Sequence, residues 1–77
     1  MSIEYAVKDI IKNHLELDEQ PLSRDLIDEL GMDSLAEIEL VMQLEDEFDI
    51  EIDEIEFENL VTIDDLVKGV QLLYTIK

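Results

Sequence analysis

Apolar residues recur at helical spacing in three separate stretches of this chain, and that periodicity limits what it can fold into. Ile3, Ala6, Val7, Ile10, Ile11 and Leu15 follow the i, i+3, i+4, i+7 pattern of one buried stripe. They predict a first helix from about Ile3 to Leu15 with Ser2 as its N-cap. Leu40, Val41, Leu44 and Phe48 share one arc of a second helix, from about Ser34 to Asp49. Ile63, Leu66, Val67, Val70, Leu73 and Tyr74 give a buried face to a last helix. Thr62-Ile63-Asp64-Asp65 opens it like a capping box, with Asp in place of the usual Glu. The one alternating stretch, Asp49-Ile50-Glu51-Ile52-Asp53, is short, has no pairing partner, and reads as an extended connector. A short helix or tight turn over Glu54 to Leu60 follows it, with Ile55, Phe57 and Leu60 as apolar contacts. The expected fold is all-α: a small four-helix bundle, three main helices plus one short one, with residues 1–77 as a single domain. At 77 residues its core is thin and its stability modest.

The first loop, from Leu17 to Asp33, is long for so small a domain and contains Pro21. Leu22, Leu26, Ile27 and Leu30 are candidates to pin it to the core. Ser23 is a candidate cap for a short helical turn from Arg24 to about Leu30, which Gly31 would end.

Charge narrows the range of functions. There are 22 acids against 5 Lys plus Arg, a net charge of −17. Between Arg24 and Lys68 there is no Lys or Arg, while 17 acids lie there. Such a field repels nucleic acid and anionic lipid and attracts basic protein surfaces. No apolar run approaches a membrane span. The first residues show no secretory signal, and a cytoplasmic protein without membrane insertion is expected, as a monomer. There is no Cys, so the chain has no thiol nucleophile and no thiolate ligand. Any thioester it carried would need its sulfur from a cofactor. His14 has no second His or Cys to work with, and reads as a partly exposed helix residue. An EF-hand loop begun at Asp49 would have Glu54 at its sixth position and Leu60 at its twelfth, where Gly and Glu belong. No metal site and no catalytic residue are expected.

The second helix carries more apolar surface than one core stripe explains. Leu35, Ile38 and Met42 lie nearly opposite the core arc, interleaved with Glu39, Glu45 and Asp46. Either they pack under a neighbouring loop, or they form an exposed apolar strip edged by acids, suited to a basic partner with an apolar centre.

The start of that helix is the most distinctive segment. Leu30-Gly31-Met32-Asp33-Ser34-Leu35 places a Gly, an acid and a Ser where a helix begins. Unpaired backbone N–H groups and the helix dipole make such a place suitable for a phosphate. Ser34 with Glu37 also fits a capping box, and the two readings are compatible. The segment, followed by Ile38-Glu39-Leu40, closely resembles the 4′-phosphopantetheine attachment site of acyl carrier proteins, a four-helix family. The resemblance covers nearly the whole chain and is strongest from Leu30 to Ile52.

The resemblance implies that Ser34 holds a covalent 4′-phosphopantetheine arm derived from coenzyme A, with Asp33 and Leu35 beside it. It implies that Leu35, Glu37, Ile38, Glu39, Met42, Glu45 and Asp46 dock partners. It puts Phe48, Ile52, Ile55, Phe57 and Leu60 at an acyl groove, flanked by Glu54. The implied partners are a phosphopantetheinyl transferase and the basic docking faces of acyl-transfer, condensing or ligase enzymes. The implied role is to tether acyl intermediates as thioesters for fatty-acid or polyketide-type synthesis, without catalysis. Ala36 and Asp53 depart from the commonest fatty-acid pattern, which has an acid and a Pro there, and leave room for a specialised pathway. Two alternatives stay open: an aminoacyl or peptidyl carrier, and an acidic helical adaptor that never receives an arm.

Overall fold

A computed structural model describes residues 2–76. Helix α1 spans Ile3–His14, and Ser2 Oγ caps it by accepting from the Tyr5 N–H at 3.3 Å. A 3₁₀ turn over Ile27–Leu30 follows the first loop. Helices α2 (Ser34–Phe48), α3 (Glu54–Glu58) and α4 (Ile63–Ile76) complete the bundle. Among the described residues no strand forms, and residues 49–53 are the extended connector that the short alternation predicts. Asp49 begins that connector in the left-handed region, at φ 53°.

One core joins all the elements. Val7 and Ile11 of α1, Leu40, Leu44 and Phe48 of α2, and Ile63, Leu66, Val67 and Val70 of α4 are buried together. Ile27, Ile50 and Phe57 close it from the connections and α3. Val41, assigned to this arc from sequence, is only half-buried at its edge. Tyr74 also differs from expectation. It is exposed rather than buried, and its ring meets that of Phe48 edge-on at 6.0 Å.

The first loop is held by its backbone more than by its leucines. Ile27 packs into the core and Leu30 against it, but Leu22 and Leu26 are exposed. The Ile27 N–H donates to the Val61 carbonyl, Ile63 to that of Asp25, and Asp64 to that of Ser23, each at 2.9 Å. Backbone polar groups away from water need partners, and these bonds supply them. They fasten the loop to the α3–α4 connection. Ser23 does not cap the 3₁₀ turn, whose cap position is Leu26. Its hydroxyl instead accepts from Lys8 Nζ at 2.8 Å and donates to Glu4 Oε2 at 3.3 Å. Gly31 ends the turn at φ 80°, a conformation that costs little only without a Cβ.

The reciprocal cap of α4 forms as its sequence predicts. The Asp65 N–H donates to Thr62 Oγ1, and the Thr62 N–H donates to Asp65 Oδ2, both at 3.1 Å. The N–H groups of Thr62 and Val61 hold the Asp65 carboxyl below its ordinary pKa.

Candidate functional site

Gly31 and the 3₁₀ turn before it deliver the chain to the N-terminus of α2. The cap there is Asp33, not Ser34. Asp33 Oδ1 accepts from the Ala36 N–H at 2.7 Å, and the Asp33 carbonyl accepts from the Glu37 N–H at 3.0 Å. A carboxylate accepts a charge-assisted bond and gains from the helix dipole, so it outcompetes the neighbouring hydroxyl. The expected Ser34–Glu37 box therefore does not form. Ser34 is the first residue of the helix, exposed, with no hydrogen bond from its hydroxyl among the described residues. The sequence signal for this was the Asp directly before the Ser, which moves the cap one residue back.

His14 contributes what the sequence did not disclose. Its Nε2 lies 3.1 Å from the Ala36 carbonyl oxygen. This contact ties the end of α1 to the first turn of α2, two residues beyond Ser34.

The second apolar strip of α2 is open surface, not packing under a loop. Leu35, Ile38 and Met42 are 63%, 52% and 62% exposed. Glu39 and Asp46 beside them are exposed, and Glu37 and Glu45 are half-buried. Among the described residues no basic side chain pairs with any of these acids; the ion pairs are Lys8–Glu4 and Lys68–Asp64.

An open groove of about 440 Å³ runs beside Ser34 between α2 and α3. Ile38, Val41, Met42, Ile52 and Phe57 supply its apolar wall, and Glu37, Glu45 and Glu58 also line it. Of the residues expected at such a groove, Ile52 and Phe57 are there. Leu60 lines a smaller neighbouring cavity of about 210 Å³, which shares Glu37, Phe57 and Glu58 with the groove. Phe48 is taken up by the core, and Ile55 stands exposed on α3. Two positions apart on a helix lie on different faces, so Phe57 turning inward leaves Ile55 outside. The Glu54 side chain lies outside the described residues. Val41 joins the wall because the groove runs along the border between the core arc and the exposed strip.

These residues fit a flexible, phosphate-linked arm. A free hydroxyl stands at the positive end of a helix, and an apolar wall begins at its side. Among the described residues no group of three or more His, Asp or Glu side chains is placed to hold a metal ion. No described helix is long and apolar enough to cross a membrane.

Comparison with known proteins agrees with this geometry. Residues 6–70 match the family model described as the phosphopantetheine attachment site. The chain is 38% identical over 74 residues to an acyl carrier protein of Desulforapulum autotrophicum, covering 92% of this chain and 96% of that one. It is 40% identical over 75 residues to an acyl carrier protein of Campylobacter concisus, covering 95% and 97%. A solved structure from Mycobacterium tuberculosis, provisionally described as an acyl carrier protein, superposes with a TM-score of 0.85 at 33% identity, covering 92% of this chain and 97% of its own. The chain thus belongs to the phosphopantetheine-bearing acyl carrier proteins, which carry their cargo to enzymes and are not themselves catalysts.

Proposed function

We propose that Ser34 is the attachment residue and that the exposed strip of α2 presents it to partner enzymes. The observation that carries this reading is the cap: because Asp33 satisfies the helix N-terminus, the Ser34 hydroxyl remains free and exposed. The arm, joined to Ser34 Oγ through a phosphodiester, supplies the terminal thiol that this cysteine-free chain lacks. The chain's own residues hold, shelter and present. Gly31 and Asp33 fix the start of α2, and His14 fastens its first turn. Ile38, Val41, Met42, Ile52 and Phe57 offer an apolar bed for a cargo chain. Leu35, Ile38 and Met42, edged by Glu39 and Asp46, favour a partner with a basic, apolar-centred face. A phosphopantetheinyl transferase is the first such partner, and the acyl-handling enzymes of a fatty-acid or polyketide-type pathway are the others. Tethering raises the effective concentration of the cargo at each enzyme.

Incubation with coenzyme A and a broad-specificity phosphopantetheinyl transferase tests the reading by intact mass. One arm should add to the wild-type chain and none to Ser34→Ala, with the helical signal unchanged. An arm mapped to Ser2 or Ser23 refutes the assignment. No arm at all, under conditions that load a known carrier, favours the unmodified adaptor.

A further inference from the structure

Glu45 occupies an unusual position between the docking strip and the groove. Its carbonyl accepts from the N–H groups of Asp49 and Ile50, the latter at 3.1 Å. Its carboxylate Oε2 accepts from the Ile52 N–H at 2.8 Å. The side chain of Ile52 is a wall of the groove, facing Val41 and Met42 of α2 and Phe57 of α3. One side-chain hydrogen bond therefore holds the Ile52 side of the groove to α2. Among the described residues, Glu37 and Glu58, the other carboxylates lining the groove, hold no backbone N–H.

The same carboxylate lies within reach of a docked partner. Glu45 is three residues after Met42 and directly precedes exposed Asp46, so it borders the strip on the α2 surface. It is only half-buried and has no cationic partner among the described residues.

We infer that Glu45 is a latch: in the free protein its carboxylate holds the α2–α3 connector closed through Ile52, and a cationic side chain of a docked partner draws it away, so that the groove opens where the cargo is to be handed over. The inference rests on the carrier reading for its purpose and for the partner that tests release, but the closed latch is tested on the free chain without it. A Lys or Arg at the partner's surface binds a carboxylate more strongly than a backbone amide does. Once the carboxylate turns outward, the Ile52 N–H loses its acceptor and the connector loses the side-chain hydrogen bond that holds Ile52 to α2. Docking and opening are thereby coupled at one residue. Equal affinity of the partner for closed and open forms would shift nothing; the coupling exists because the partner gains the carboxylate only in the open form.

Amide hydrogen exchange at Ile52, read by NMR on the unmodified chain, tests this. Glu45→Ala should raise the Ile52 exchange rate by about tenfold or more, with the Leu44 and Val67 amides unchanged. Phosphopantetheinyl transferase without coenzyme A should accelerate Ile52 in the wild type. Glu45→Gln keeps an acceptor but no charge, so Ile52 should stay protected with and without the transferase. Unchanged Ile52 exchange in Glu45→Ala overturns the latch. Ile52 protection that persists in the wild-type complex, or that Glu45→Gln loses there as readily as wild type, overturns its release by a partner. Failure of Ser34 to accept an arm speaks against the carrier reading alone, because the exchange is measured without one.

Discussion

Leu40 and Leu44 on one side of α2 are fully buried, whereas Leu35, Ile38 and Met42 on the other stand more than half exposed. The two sides differ little in hydrophobicity. They differ in what surrounds them. The buried side meets α1 and α4, whose own stripes face it. The exposed side is bordered by the short α3 and the connector, which leave a groove beside it. Acids edge the exposed side, and no described basic residue neutralises them. Apolar surface left open in this way is what supports the proposal that a partner docks there. One side of the helix holds the bundle together, and the other is the side proposed to present Ser34.

The largest effect should come from breaking the buried side. Leu44→Ala should cost about 2–5 kcal/mol, a large share of the stability of so small a domain, measured by denaturant unfolding. Met42→Ala, of similar bulk on the open side, should change stability by less than about 0.5 kcal/mol. Equal losses would erase the distinction between the two sides.

Cargo sharpens the same contrast. If the groove wall of Ile38, Val41, Met42, Ile52 and Phe57 receives an acyl chain, each buried CH₂ contributes up to about 0.8 kcal/mol before the cost of opening. An octanoyl-loaded form should then melt above the unacylated arm-bearing form, and an acetyl-loaded form should not. Identical melting of all three would favour a small or polar cargo left in solvent, as on an aminoacyl carrier.

Charge reversal at Glu39 or Asp46 should weaken association with the transferase by about tenfold, or about 1.4 kcal/mol, mainly through a slower on-rate that added salt also depresses. Reversal at exposed Glu19 should do much less. Glu4 is a poor control because it is bound into the Lys8–Ser23 contact. Similar effects at all sites would mean that net charge acts without a specific face.

A modest effect lies at the α4 cap, away from the site. Thr62→Ala should cost about 1 kcal/mol. Its partner Asp65 has a folded pKa held below the ordinary 3.8. Its stabilising contribution is therefore complete above that ordinary value and disappears as pH falls through the lower folded one. The melting difference between wild type and Asp65→Asn should shrink accordingly in acid.

The helices were legible because their apolar period is strong and their caps are local. Ser2, Thr62 and Asp65 act as a sequence reading says they should. The Ser34 box was misread by one residue because two candidate acceptors stood side by side, and only their competition for the Ala36 N–H decides between them. Contacts between distant segments were harder. The His14–Ala36 bond spans 22 residues, and nothing near His14 signals it. The first loop was expected to be pinned by its apolar side chains, yet backbone bonds joining Ser23, Asp25 and Ile27 to Asp64, Ile63 and Val61 do much of that work, and backbone donors and acceptors are invisible in residue types. Of the residues expected at a groove, Ile52 and Phe57 line the one beside Ser34, whereas Phe48 is buried in the core and Ile55 is exposed; a short helix such as α3 gives too few residues to fix which face turns inward.

The division of α2 into a holding side and a presenting side can be read in a single titration. An isotope-labelled chain is titrated with phosphopantetheinyl transferase lacking coenzyme A, and its amide and methyl NMR signals are followed. Shifts concentrated at Ser34, Leu35, Ile38, Glu39, Met42 and Asp46, with the exposed residues of α1 undisturbed, are the predicted result. Shifts centred on α1 or on the far end of α4, with the α2 strip silent while the transferase is bound, would contradict the account.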